Sequence, residues 1–376
     1  MFINFNSLYT LASVNLPPHI EDRIFFKNGH FDLDEEDDCL KIINYYLNLN
    51  DDDIGNDFPD SRAFQNSYRS KHIVATWLIG YSLGRFNNLF DKIGGVIMHN
   101  WCGNIWMYTA LVHDYGYFCQ QIRKRKSIEE IQHPYYLLSD YSPEFLMPGV
   151  MSNFSHNYHN YFSYTYDQIK RYYKYSVDYH ERTEMNYEGE MADHGIVGAC
   201  VAFRKYCQKY KKNRSFPPVH SRNELAEKYE PVMYKAACIV AASHNIYKSP
   251  SPEYDYFYHS YDLGFLCHNS NFVINENNPL LLLLSIVDTI ECCKRFSRKK
   301  NSKQFLKSKT VLSNIMVIVN EDEIIVDYTP LAKLVSQKSR EMLGDLERHV
   351  ENVAKLNTWT CLKTNKLDSF KISITI

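Results

Sequence analysis

The stretch from Trp106 to Phe118 constrains this chain more than any other. It is apolar for about two helical turns and then sets His113 beside Asp114, just ahead of Gly116. A segment that is apolar nearly all round belongs in a buried helix, and Gly116 suits the residue that ends it. The doublet then sits at the C-terminal tip of a core helix. An ionised carboxylate there must meet something cationic, because taking it out of water unpaired costs several kcal/mol. A plain buried His–Asp hydrogen bond would satisfy the pair, so the doublet alone specifies no chemistry.

The same anomaly recurs near residue 288. Asn278-Pro279 supplies an N-cap and a first-turn proline. Leu280 to Val287 is apolar apart from Ser285, and Asp288 follows directly. This helix is expected to run on through Thr289, Ile290 and Glu291 to Lys294 and Arg295. Aspartate is a poor core residue, so Asp288 also needs a partner. Other helices are predicted at Leu40–Asn48 and from Ser67 to Arg85. In the second, Ile73, Trp77, Leu78 and Tyr81 fall near one face and His72 lies in the first turn. A helix over Glu190–Tyr210 turns Ile196, Val197, Cys200 and Phe203 inward and carries His194 near its start. Another begins at Pro231, runs through Ala236–Ala242 and delivers His244 at its C-terminal end.

Beyond the basic stretch Lys294–Lys309, expected as an exposed linker, the hydrophobic period changes. Asn314–Val319 and Ile324–Tyr328 read as a β-hairpin, Leu331 to Leu356 as one amphipathic helix, and Phe370–Ile376 as a closing strand. The expected fold is therefore mostly α, a helical bundle with a small C-terminal α+β appendage. Its parts are a lead-in over 1–60, a helical domain over 61–297, and a linker with the appendage over 298–376. The helical domain includes a tyrosine-rich insert at 119–190, whose aromatic surface would pack or stack on a base. The acidic run Asp32, Asp34, Glu35, Glu36, Asp37 and Asp38 is expected as solvated surface.

Composition removes several functional classes. A net charge of −2 gives no global field towards nucleic acid or an anionic membrane. The one strong basic run lies in the expected linker, which argues against a nuclease on long polymers. The ten cysteines contain no C-x-x-C, and Cys200, Cys238 and Cys292 sit in apolar runs as small hydrophobes would. Reduced thiols of this kind fit a cytoplasmic protein better than a disulfide framework. The segment Met1–Asn6 lacks a basic leader, and Leu280–Val287 is too short to span a bilayer. A soluble, cytoplasmic protein is expected.

Collected in chain order, the histidines and aspartates at helix ends or in apolar helices are His72, His113-Asp114, His194, His244 and Asp288. The order is H…HD…H…H…D, with every gap tens of residues long, so the set converges only through tertiary packing. Helical bundles build metal sites in this way, from inward side chains of facing helices. The order and its helical setting resemble the HD-domain superfamily of metal-dependent phosphohydrolases, over roughly residues 65–297. Lys71-His72-Ile-Val-Ala-Thr-Trp-Leu, Ala192-Asp193-His194-Gly195-Ile-Val-Gly198-Ala and Ser285-Ile-Val-Asp288-Thr-Ile-Glu carry the same texture.

The resemblance implies that His72, His113, Asp114 and Asp288 form a first metal site. It further implies that His194 and His244 add a second ion, with Asp114 bridging the two. Imidazoles with carboxylates suit one or two ions of Mn, Fe, Co, Ni or Zn rather than Mg or Ca. Such ions activate water and clamp the oxygens of a phosphoester. One departure matters: where many HD hydrolases carry a phosphate-holding lysine, three residues after the doublet's aspartate, this chain has Tyr117. Candidate substrate-contacting residues are Tyr117 itself, Arg182 and Lys248, and candidate acids or bases are Asp193 and Glu184. The expected function is hydrolysis of a small-molecule phosphomonoester or phosphodiester, a nucleotide or cyclic nucleotide above all. Within the same fold, a di-iron oxygenase and a catalytically silent nucleotide-binding or sensor module remain as alternatives. The C-terminal element reads as a dimerisation surface or a lid, which leaves a homo-oligomer open.

Overall fold

A computed structural model describes residues 6–13, 26, 29–47, 69–86, 103–115, 195, 202, 237, 238, 240, 241, 244, 279–296, 305–319, 323–354, 356 and 371–375. Its first elements are β1 (Asn6–Ser7), α1 (Leu8–Ser13), α2 (Glu36–Leu47), α3 (Arg69–Phe86) and α4 (residues 103–112). There follow α5 (Pro279–Ile290), α6 (Cys293–Phe296), α7 (Ser308–Ser313), β2 (Met316–Val319) and β3 (Glu323–Asp327). The last are α8 (Thr329–Ser336), α9 (Arg340–Ala354) and β4 (Lys371–Thr375). The described residues are thus mostly helical, with one small sheet. The chain divides into two compact units, one of residues 1–43, 65–93 and 273–376 and the other of residues 44–64 and 94–272.

In the first unit α3 and α5 form the centre. From His72 to Gly80 every residue of α3 is buried, where the sequence pattern had suggested one apolar face. The reason is that α1, α5 and α6 all pack on α3. Its polar groups are satisfied internally where they can be: the Ser82 hydroxyl donates to the Leu78 carbonyl at 2.8 Å. The described side chains of α5, Leu283 to Ile290, are likewise all buried, Asp288 included.

The sheet has the order β1-β2-β3-β4. The expected hairpin is present, with β2 and β3 antiparallel and Val317 opposite Val326. Ile315, Val317, Ile324 and Val326 are buried, while Met316, Ile318 and Ile325 are partly exposed, the period of two that a half-covered sheet imposes. The closing strand β4 runs parallel to β3, with Ser373 opposite Ile325. A parallel neighbour needs a long crossover, and α8 and α9 provide it. Strand β1, from the lead-in, lies antiparallel on β2 with Asn6 opposite Val317. Two residues carry no periodic signal, so the sequence pattern could not announce it.

Three expectations change at this level. The single helix from Leu331 to Leu356 is two helices. The amides of Lys338 and Ser339 both donate to the Val335 carbonyl at 3.0 Å, closing α8. The Ser339 hydroxyl then accepts the Met342 amide at 3.1 Å, as an N-cap does, and α9 starts afresh. The acidic run is only partly solvated. Glu35 and Asp37 are exposed, but Asp38 is buried and accepts the Asp32 amide at 3.3 Å. Asp34 accepts the amides of Ser308 at 2.6 Å and Lys309 at 3.3 Å, an anion at the start of α7. The stretch Lys294–Lys309 is not a plain exposed linker either, since Phe296, Leu306 and Ser308 are buried. Cys39, Cys238, Cys292 and Cys293 are buried free thiols. Among the described residues no helix is long and apolar enough to cross a membrane.

The C-terminal end of α5 is closed from the sheet side. Tyr328 donates its hydroxyl hydrogen to the Ile290 carbonyl at 2.9 Å, satisfying one of the acceptors a helix end leaves open. His349 of α9 meets the same hydroxyl through Nε2 at 3.2 Å. Burial, seconded by the positive charge of Arg295, pushes the His349 pKa down to about 3, against an ordinary 6.5. A neutral ring is therefore built into the fold. Between pH 6.5 and 3 the unfolded chain takes up a proton that the folded chain refuses. Stability should then fall by roughly 1.4 kcal/mol per pH unit from this group as pH drops through that window. Denaturant titrations of wild type and His349→Gln across pH 7 to about 4 test this: the wild type should lose stability more steeply, and parallel curves would exclude it.

Candidate metal centre

In the first unit, α3 carries His72 one turn from its start and α5 carries Asp288 one turn from its end. His72 Nε2 lies 3.0 Å from Asp288 Oδ1. On its other side, Nδ1 is paired with Oε2 of Glu291. Glu291 does not continue the helix as expected. The chain leaves α5 after Ile290, and Glu291 Oε1 accepts the Cys293 amide at 2.5 Å, which starts α6. One carboxylate thus ends a helix interval, caps the next helix and fixes an imidazole. The Lys294 ammonium stands beside the pair, 3.3 Å from His72 Nε2 and 3.4 Å from Asp288 Oδ1.

The electrostatics follow from burial of the ring between two acids. For His72, desolvation and the charge of Lys294 disfavour the imidazolium. The charge of Glu291 and hydrogen bonds to Asp288 and Glu291 outweigh them and hold its pKa above the ordinary value. Burial alone would raise the Glu291 pKa, but His72 and the Cys293 amide pull it below the usual carboxylate value.

In the second unit, α4 is buried from Ile105 to Val112 and ends there, with His113 and Asp114 in the turn that follows. The His113 amide still donates to Thr109 at 3.1 Å and the Tyr115 amide to Val112 at 2.9 Å, so the doublet is held on the last turn. Asp114 Oδ1 lies 3.6 Å from His113 Nε2 and 3.8 Å from His244 Nε2. The two rings meet edge to face, 5.3 Å between centroids. Gly195, which follows His194, is packed hard against this corner. A Cβ there would stand 2.5 Å from the Ala241 carbonyl oxygen and 2.7 Å from His244 Nδ1, so only glycine permits the approach.

The three histidines share one arrangement. His113 donates Nδ1–H to the Ala110 carbonyl at 2.7 Å, and His244 donates Nδ1–H to the Ala241 carbonyl at 2.5 Å. His72 presents Nδ1 to Glu291. A carbonyl only accepts, so for His113 and His244 the proton belongs on Nδ1 and the lone pair on Nε2, whereas His72, set between two carboxylates, favours a proton on each nitrogen. In each case that Nε2 faces a carboxylate oxygen, which makes sense when a cation is shared between them. Anchoring of the distal nitrogen by a carboxylate or backbone carbonyl is the usual support of a histidine metal ligand. Within the first unit, His72 Nε2 and Asp288 Oδ1 are buried and 3.0 Å apart, and this pair could help hold a metal ion. Ligands about 2.1 Å from a common transition ion stand roughly 3–4 Å apart, close to this spacing.

Of the residues singled out from sequence, His72, His113, Asp114, His244 and Asp288 are described and buried. His194, Asp193, Glu184, Arg182, Lys248 and Tyr117 lie outside the described residues. Two participants were missed. Glu291 is a second acid one turn beyond Asp288 in the same apolar run, and that spacing was the available signal. Lys294 was assigned to the linker because it opens a basic stretch. Replacing Glu291 by Gln keeps the shape but removes the anion that fixes the His72 ring. Metal affinity, read by titration with Mn²⁺ or Zn²⁺, should fall by about 10–100-fold, and unchanged affinity would deny Glu291 that role. Gly195→Ala forces the Ala241–His244 turn aside and should cost roughly 1–3 kcal/mol of stability in chemical denaturation; a neutral result would mean the contact is slack. No protein-family model, curated protein or solved structure matches the chain.

Proposed function

We propose that the chain is a metal-dependent phosphohydrolase that cleaves a small phosphomonoester or phosphodiester, with a nucleotide or cyclic nucleotide as the substrate class. The observation that carries this reading is the common setting of the three imidazoles. Each is anchored at Nδ1, leaves Nε2 for a ligand, and turns that nitrogen to a buried carboxylate. The 3.0 Å spacing of His72 Nε2 and Asp288 Oδ1 supports an ion held by that pair, to which the sequence order assigns His113 as a further ligand. The H…HD…H…H…D order supports the same set and adds Asp114, His194 and His244 for a second. When bound, transition ions of this kind supply a water of lowered pKa and positive charge for the phosphoryl oxygens.

The residues of the chain then have separable tasks. Asp288 and Asp114 contribute the negative charge that retains the ions, and burial keeps water from competing for them. Glu291 and the Ala110 and Ala241 carbonyls orient the three rings with Nε2 towards the ligand position. Elemental analysis of wild type and Asp288→Ala tests the site. Wild type should carry one or two transition ions per chain, and the variant should lose at least the ion that Asp288 holds. Assays with p-nitrophenyl phosphate, bis(p-nitrophenyl) phosphate and common nucleotides in Mn²⁺, Co²⁺, Ni²⁺ or Zn²⁺ test the reaction. A loaded protein that hydrolyses none of them would sink the phosphohydrolase reading. Native iron with oxygen consumption would replace it by the oxygenase.

A further inference from the structure

We propose that Lys294 is a tethered cation that occupies the His72–Asp288 pair when no metal is bound, so that a divalent transition ion must displace its ammonium to load the site. This rests on the reading of His72 and Asp288 as metal ligands. Lys294 Nζ stands 3.3 Å from His72 Nε2 and 3.4 Å from Asp288 Oδ1, against both of the atoms a metal would use. The ammonium donates to Asp288 Oδ1, and its closeness to Nε2 puts its charge where an ion shared by the two ligand atoms would stand. Asp288 is buried in an apolar helix and needs a positive partner whether or not an ion is present. An ammonium and a divalent ion cannot share these two ligand atoms, because like charges at that separation repel strongly in a buried site. The displaced group has somewhere to go: the Lys294 side chain is 35% exposed, whereas that of Asp288 is 3% exposed. Lys294 sits in the short helix α6, and its long flexible stem lets the charge swing to water while the backbone stays in place.

The consequence is competition. The site stays neutralised and folded without metal, and its affinity for metal is set below what its ligands alone would give. The test is Mn²⁺ affinity of the full chain, read by calorimetry or by the electron paramagnetic resonance of free Mn²⁺. Lys294→Met should bind Mn²⁺ on the order of tenfold or more tightly than wild type, within the range known for groups beside metal ligands. Lys294→Arg, which keeps a cation, should stay near wild type. The gain should vanish in the Asp288→Ala, Lys294→Met double variant, which locates the ion at this pair. Lys294→Met binding as weakly as wild type, or more weakly, would overturn the inference while leaving the metal site standing. If neither wild type nor Lys294→Met takes up Mn²⁺, the underlying site reading fails, and the inference falls with it. A measurement on unmodified protein guards against a misfolded variant. Acetylation of Lys294 by an N-hydroxysuccinimide ester, followed by mass spectrometry, should rise several-fold on adding Mn²⁺. No rise in a protein that binds Mn²⁺ would overturn the inference as firmly as the affinity result.

Discussion

One imidazole between two buried carboxylates organises the first unit. His72 lies on the most buried stretch of α3, Asp288 and Glu291 sit at the end of α5, and all three are out of water. Two acids and one ring in such a place are tolerable only as a set, because removing any member leaves an uncompensated charge or polar group. The set therefore fixes more than its own geometry. It sets the register of α3 against α5, stops α5 at Ile290, and starts α6 through the Glu291–Cys293 contact. The helix end that results is closed by Tyr328 and His349. Polar groups at the centre thus connect the helices to the sheet.

What could be read from the sequence was whatever rests on local pattern. The apolar runs before Asp114 and Asp288 announce buried helices. The alternation over residues 316–327 announces a hairpin, and an acid in a greasy helix announces a partner. What could not be read depends on contacts distant in sequence. The break at Ser339 was missed because apolar periodicity carries through it, while a hydroxyl cap decides otherwise. Asp34 and Asp38 look like ordinary surface acids until the amides they accept are brought to them by the fold. Lys294 reads as the first residue of a basic stretch, and only the fold shows that its charge turns back to His72 and Asp288. A run of like charges gives composition, and direction has to come from structure.

The site was legible in outline for a related reason. Metal-type ligands at helix ends stand out because burial makes them expensive, so their positions carry information that surface residues do not. Their supports do not stand out. The Ala110 and Ala241 carbonyls that anchor His113 and His244 are backbone groups, and any residue would provide them. Gly195 is informative only once a Cβ is seen to collide with the Ala241–His244 turn. Ligand identity is thus written in side chains, while ligand orientation is written in packing.

The order of the chain within the first unit bears on how the protein is made. That unit joins residues 1–43 and 65–93 to residues 273–376, and the pairing of Asn6 with Val317 spans the whole interval. At translation speeds of ~5–20 residues per second, the intervening stretch takes on the order of ten to forty seconds to emerge. During that time α3, buried along most of its length in the finished unit, has neither α5 nor α6 to cover it. His72 waits without either of its carboxylates. Loop-closure entropy must be met before these distant contacts return anything. The contacts that cover α3 and pair its histidine thus form only once residues 273–376 have been made.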